Sequence, residues 1–240
     1  MLNSISHVPE KLKVITIDGP AGSGKSTVAR IVASKLGWIY VTTGAIYRTL
    51  ALLFHEANIK DTDLENIERF ISFISERYRQ ESSTGKVFIG EREITQEIKA
   101  PLVSELASIL AQEDSVRKRL LPIQRKVVLN NHGAVVDGRD MGTVVFPDAP
   151  LKIFLTASAK ERAERRWKEL NQNGQKTDIK ELLREIHERD ERDLNRAIAP
   201  LKAAHDAISL DSTKSTQEEI AKAILQFAMQ KDLVISQNEL

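Results

Sequence analysis

One stretch, Gly19-Pro20-Ala21-Gly22-Ser23-Gly24-Lys25-Ser26, limits what this chain can fold into more than any other. Before it, residues 13–18 (KVITID) form a β-branched run of strand length. After it, Val28, Ile31, Val32 and Leu36 recur at helical spacing until Gly37 stops the pattern. Strand, glycine-rich loop and helix, in that order, is the setting in which G-x-x-x-x-G-K-[ST] wraps phosphate. Glycines let successive backbone N–H groups turn inward, and the helix N-terminus adds the positive end of its dipole. The residues from Gly19 through Pro20, Ala21, Gly22, Ser23, Gly24, Lys25 and Ser26 to Thr27 are therefore candidate ATP-binding residues. Lys25 supplies a point charge to the β- and γ-phosphates, and Ser26 a hydroxyl for Mg2+.

The rest of the pattern extends this unit into a sheet. Residues 38–41 can return as a second strand, 46–56 read as a helix, 134–136 and 151–155 are apolar runs of strand length, and 208–210 is a weaker strand. Strands alternating with helices predict an α/β fold, a parallel sheet covered on both faces. Two segments fall outside it. In residues 60–125, Leu64, Ile67, Ile71 and Ile74 form a helical stripe, 86–95 read as a hairpin turning near Gly90 and Glu91, and helices follow over 101–111 and from Asp114 onward. Pro122 should kink the last of these or break it in two. Residues 159–199 are charged and mostly helical, interrupted by the polar stretch 171–177.

Charge and composition remove several classes of partner. Lys and Arg number 35 against 34 Asp and Glu, a balance without the broad positive field that nucleic acid or a membrane surface demands. The absence of cysteine excludes disulfides and thiolate metal sites, so any metal must take oxygen ligands. The first ten residues lack a basic region leading into an apolar stretch, and no run of about 18 apolar residues occurs. The expectation is a cytoplasmic protein acting on small molecules.

A second polar cluster begins where an apolar run ends, at Val135-Val136-Asp137-Gly138-Arg139-Asp140. Ligands of open α/β sheets sit outside the carboxyl ends of strands, so this cluster faces the same crevice as the glycine-rich loop. Asp137 is either an acid that holds Mg2+ through water or an ordinary turn residue, and Arg139 beside Asp140 is either functional or a surface ion pair. Arginines stand at 48, 139, 162, 165, 166, 184, 189, 192 and 196, while an N-K-x-D segment for reading guanine is absent. On helices, Arg162 with Arg165 and Arg166, and Arg189 with Arg192 and Arg196, share faces. Such faces can close over a polyphosphate as a mobile lid, or be solvated, since acids interleave with them.

Five stretches carry a resemblance: ITIDGPAGSGKST, TGAIYR at 43–48, DGRDMGTVVFPDAP at 137–150, ERDERDLNRAIAP at 188–200 and LDST at 210–213. With these, the chain resembles the bacterial cytidylate kinases from Val14 to about Met229. The resemblance implies a nucleoside-monophosphate kinase in three parts. These are a P-loop core (11–43, 126–158 and 200–233), a monophosphate-binding domain with a helix and hairpin insert (44–125), and a lid with a CMP-contacting helix (159–199). It implies a monomer that uses ATP and Mg2+ to phosphorylate CMP or dCMP. Lys25, Arg48, Arg139 and Arg196 would be catalytic, the three arginines holding the CMP phosphate. Asp193 and Arg189 would contact the ribose, Thr43 would lie near the nucleoside, and Ser108, Arg117 and Asp140 would read the base. Two positions depart from the family pattern: Thr42 stands where an acid is expected, and Pro122 enters a helix usually uninterrupted. A monophosphate kinase with another acceptor such as UMP, or a regulator that keeps the fold without catalysis, would share much of this pattern.

Overall fold

The structure is a computed structural model and describes residues 13–59, 64–129, 131–172, 174 and 176–233. The N-terminal residues read for a leader, the start of the first appended segment and part of the polar stretch 171–177 lie outside the described residues.

The predicted opening unit is present as β1 (Val14–Asp18), the loop, and α1 (Lys25–Leu36). Gly37 ends α1 as expected, with Trp38 N donating back to Ala33 O at 2.9 Å. With β2 (Ile39–Thr42), β6 (Ala134–Gly138), β7 (Leu151–Thr156) and β8 (Ile208–Asp211), β1 forms a parallel sheet of order β2-β6-β1-β7-β8. Alternate residues of β1 serve opposite faces, as the period of a strand requires. Ile15 and Ile17 pack with Val28 and Val32 of α1 and with Ile220 and Ile224 of α8 (Gln217–Gln230). Val14 packs the other way, with Val41, Val128, Val136, Met141 and Phe146. Each such side chain removed from water contributes about 1.5–3 kcal/mol. Both faces are thus covered, which directs ligand chemistry to the carboxyl ends of the strands.

A second core serves the appended segment. Ile46, Leu50 and Phe54 of α2 (Thr43–Glu56) pack with the stripe Ile67, Ile71 and Ile74 of α3 (Leu64–Arg77). They are joined by Val103 of α4 (Pro101–Leu110) and Val116 and Leu120 of α5 (Asp114–Leu129). The helix α2 starts earlier than its apolar period predicts because the Thr43 hydroxyl donates to Asp137 O at 3.0 Å, a tertiary anchor invisible to periodicity.

Three further details differ from the sequence expectations. The predicted hairpin is present as β4 (Val87–Ile89) and β5 (Arg92–Glu93), but β3 (Tyr78–Gln80) adds a third, polar strand against β4. Its neighbours reach back to the core: Tyr40 N donates to Ser82 Oγ (2.6 Å), Thr42 N to Gln80 Oε1 (3.3 Å), and Gln80 Nε2 to Tyr40 O (3.5 Å). Pro122 does not break α5 in two. It lies on the exposed face, where water can serve the carbonyl it leaves free, while Leu120 and Ile123 hold the helix from the buried side. Finally, α7 (Ile179–Leu194), which pairs with α6 (Ala159–Gln172), ends before Arg196, so that arginine lies on the following loop rather than on a helical face with Arg189 and Arg192.

Candidate active site

The loop is shaped by backbone that other residues could not adopt. Gly19 has φ +146°, and a Cβ there would collide with the Leu155 carbonyl of β7. A Cβ at Gly22 (φ +76°) would come within 3.2 Å of the Arg162 side chain. Two polar side chains of the loop, Ser23 and Lys25, are satisfied within it. Ser23 Oγ donates to Pro20 O at 3.1 Å, and Lys25 Nζ to the same carbonyl at 2.6 Å. Lys25 is buried, and its pKa is driven well below the lysine range by that burial and then by the charge of Arg139. Pro20, Ala21, Gly24, Ser26 and Thr27 complete the turn into α1.

Ser26 Oγ donates to Asp137 Oδ2 at 2.5 Å, and the Tyr40 phenol to Asp137 Oδ1 at 3.3 Å. Asp137, at the end of β6, is therefore not a plain turn residue but a buried carboxylate facing the loop. A hydroxyl beside a carboxylate is a hard-oxygen donor set of the kind Mg2+ takes when nucleotide phosphates and water supply the remaining ligands, so these residues fit that ion. Among the described residues no cluster of three or more His, Asp or Glu could hold a metal by itself.

Beside this pair lies a basin of charge drawn from separate elements. Arg139 Nε donates to Asp193 Oδ2 of α7 at 2.9 Å. Arg117 of α5 forms a buried ion pair with Asp140, and its other terminal nitrogen donates to Ala111 O at the end of α4. Arg48 of α2 feels the charges of Asp137 and Arg139, Arg189 those of Arg139, Asp193 and Arg48, and Arg196 those of Arg117, Asp193 and Asp140. Burial lowers the pKa of all three arginines, Arg189 to about 10. Burial also works against ionisation of Asp193, yet Arg139, Arg189 and Arg196 together draw its pKa below the usual carboxylate value. Arg48 Nε, Ser108 Oγ, Arg189 Nε and two nitrogens of Arg196 are buried with no hydrogen-bond partner. Buried donors of this kind are costly to leave unmatched, and cationic ones are suited to oxygens of a phosphate and a sugar. Ser108 sits three residues before Ala111 on α4, whereas the Thr43 hydroxyl is already committed to Asp137 O.

The lid candidates divide. Arg162 is clamped, donating to Ala21 O at 3.0 Å and to Asp190 of α7 through both terminal nitrogens. Arg165 lies near Gly24 and donates to Ser212 Oγ (3.2 Å) and Ser212 O (2.6 Å). Arg166 pairs instead with Glu169 on its own helix. Thr42 is half-buried at the start of α2 beside the Tyr40 phenol.

Three residues at the site carry no role in the sequence reading. Asp18 ends β1, Tyr40 lies in β2, and Ser212 follows β8, donating to Ser23 O of the loop at 2.9 Å. Of these, Asp18 stands in the matched stretch ITIDGPAGSGKST and Ser212 in LDST, while Tyr40 lies within a strand pattern outside them.

Comparison with known proteins follows the same outline. A family model described as cytidylate kinase matches residues 15–230. The cytidylate kinase of Stutzerimonas stutzeri is 48% identical over 222 residues, covering 92% of this chain and 96% of that protein. That of Carboxydothermus hydrogenoformans is 44% identical over 221 residues, covering 92% and 99%. Among solved structures, an uncharacterized protein from Eubacterium ventriosum superposes with a TM-score of 0.51 at 14% identity, covering 92% of this chain and 99% of that one, a likeness of fold alone.

Proposed function

The chain belongs to the cytidylate kinase family, and from that premise we propose that it moves the γ-phosphate of ATP onto CMP or dCMP, giving ADP and CDP or dCDP. The observation that carries this reading is the convergence of Arg48, Arg139, Arg189 and Arg196 beside the phosphate loop, with buried nitrogens of Arg48, Arg189 and Arg196 lacking partners.

Phosphoryl transfer through a loose transition state asks chiefly for alignment and charge neutralisation. The acceptor phosphate has a second pKa near 6, by analogy with phosphoserine, so it is already an anionic nucleophile near pH 7 and needs no general base. Two anions must still be brought together, at about 332/(εr) kcal/mol per charge pair. Arg48, Arg139 and Arg196 offset that repulsion on the acceptor side, and Lys25 on the donor side. A polyphosphate in the loop would also favour the charged form of Lys25, which burial opposes. Ser26, and Asp137 through water, would hold Mg2+, which when bound neutralises phosphate charge. Asp193 and Arg189 would hold the ribose, with Thr43 and Ser108 near the nucleoside. The division into core (11–43, 126–158, 200–233), acceptor domain (44–125) and lid (159–199) gives each substrate its own wall, and closure of the lid would exclude the water that competes for ATP.

Cytosine presents an amino donor where uracil presents a carbonyl oxygen. Asp140 accepts from the first and repels the second, and Arg117 donates to the adjacent ring acceptors. Among the described residues no helix is long and apolar enough to cross a membrane, and the reading is of a cytoplasmic monomer acting on small molecules. A coupled ADP-release assay across CMP, dCMP, UMP, AMP and shikimate tests it. CMP and dCMP should give the highest kcat/KM; an equal value for UMP would overturn the base assignment.

A further inference from the structure

We propose that Asp18 is a positioning residue for the acceptor, fixing the turn that carries Arg139 and Asp140 and thereby tying acceptor recognition to the strand that opens into the phosphate loop. Asp18 is 4% exposed at the end of β1. Its two carboxylate oxygens accept from Met141 N at 2.8 Å and Gly142 N at 2.7 Å. Those N–H groups open a π-helical turn, Met141–Val145, that directly follows Arg139 and Asp140. The far end of the turn is held by the opposite charge: Arg125 Nε donates to Val145 O at 2.8 Å and Arg125 Nη2 to Val144 O at 3.1 Å. An acid at the donor end and a base at the acceptor end match the partial charges of the turn's open backbone groups.

The turn also sits too tightly on the sheet to drift. A Cβ at Gly142 would lie 3.0 Å from Thr16 Oγ1 of β1 and 3.1 Å from the Lys152 side chain of β7. Moving the turn would therefore move Arg139 away from Asp193 and Asp140 away from Arg117. The helix α5 carries both Arg117, the partner of Asp140, and Arg125, the clamp of the turn's end. Burial pushes the Asp18 carboxyl up to about 7 despite its two backbone bonds, with Asp140 raising it further and Lys25 opposing. A cost of that kind is retained where geometry needs both oxygens: an amide of the same shape offers one oxygen and sets an N–H donor against the second backbone N–H.

The proposal rests on the acceptor reading above, so the test uses whichever acceptor the unaltered enzyme prefers in the assay panel. Should that acceptor be UMP, the base assignment fails while the Asp18 comparison remains readable. In the full chain, Asp18→Asn should raise the acceptor KM about tenfold, the factor a charged hydrogen bond is worth, while the KM for ATP changes less than about twofold. The preference between CMP and UMP should narrow with it. Arg125→Ala, which alters the far end of the turn from an exposed position, should give the same signature at smaller size and serves as the reporter if Asp18→Asn does not fold. Equal rises in both KM values, a fall in kcat or melting temperature alone, or unchanged kinetics in both variants would overturn the proposal.

Discussion

In the phosphate loop Lys25, Ser23 and Ser26 all have partners: Lys25 and Ser23 on Pro20 O within the loop, Ser26 on Asp137 and Ser212 on Ser23 O from neighbouring strand ends. In the basin beside it, Arg139 and Asp193 are paired across separate elements, as are Arg117 and Asp140, while donors on Arg48, Ser108, Arg189 and Arg196 have no partner. The contrast separates two ways of making a phosphate site. The loop is a preformed backbone cradle whose conformation is set by glycines and by a neighbouring strand. The basin is assembled from α2, α4, α5, the end of β6, α7 and the loop after it, and its geometry depends on how those elements pack. Damage to the first should act on every acceptor alike; damage to the second should discriminate among acceptors.

The largest expected effect breaks the cradle. Lys25→Ala should lower kcat by on the order of a thousandfold with CMP, dCMP or UMP alike, because a preorganised charge at the transferring phosphate is lost. Circular dichroism should remain that of the folded protein, since a costly buried charge is removed. Arg196→Ala breaks the basin instead. It should lower kcat/KM for CMP by about a hundredfold while the KM for ATP moves little, as removal of one charge-assisted contact to phosphate predicts; steady-state kinetics with each substrate varied in turn separates the two. Asp140→Ala sharpens the comparison further. The ratio of kcat/KM for CMP over UMP should fall by about tenfold or more, with ATP parameters intact.

The smallest effect concerns the link between the regions and is read as stability. Because the folded pKa of Asp18 lies above its ordinary value of 3.8, at about 7, the folded state binds this proton more tightly than the unfolded one. Stability from this group is full below about pH 4 and declines as pH rises toward 7. Asp18→Asn lacks that titration. The melting temperature of the unaltered protein relative to the variant should therefore drop by about 5 °C between pH 5 and pH 8, as thermal melts at matched ionic strength would show.

The same contrast explains what the sequence made legible. A cradle built from contiguous residues leaves a spacing of glycines, lysine and serine that can be read directly, and the strand and helix around it follow from β-branched and helical periodicity. The parallel strands and the helical stripe of the second core follow from apolar runs such as Ile67, Ile71 and Ile74, whereas the strand order β2-β6-β1-β7-β8 is set by tertiary packing that no run displays. The basin has no such local signal: spacing marks its arginines as candidates, but their separate roles come from resemblance to a family, because Arg139 meets Asp193 and Arg117 meets Asp140 only through tertiary packing. Spacing alone places Arg196 on a helix that in fact ends at Leu194, and it groups Arg166 with Arg162 and Arg165 on α6 without showing that Arg166 pairs with Glu169 while the other two reach Ala21 and Ser212. Asp18 lies within ITIDGPAGSGKST, yet nothing local there shows that its carboxylate bridges Met141 N and Gly142 N, 123 and 124 residues further on. Tyr78-Arg79-Gln80 escaped notice as a strand because it has no apolar alternation and is stabilised by pairing with β4.

That polar strand has a consequence beyond catalysis. β2 is the terminal strand of the parallel sheet, and a bare sheet edge presents a ladder of N–H and C=O groups on which any other extended chain can stack. Here Ser82 and Gln80 occupy Tyr40 N, Thr42 N and Tyr40 O with side-chain atoms, mimicking a further strand without offering a new backbone edge beyond it. The insert that supplies a wall for the acceptor thus also closes one flank of the sheet against self-association, so shortening the 78–82 stretch would be expected to show first as aggregation during folding, before any loss in affinity for nucleotide.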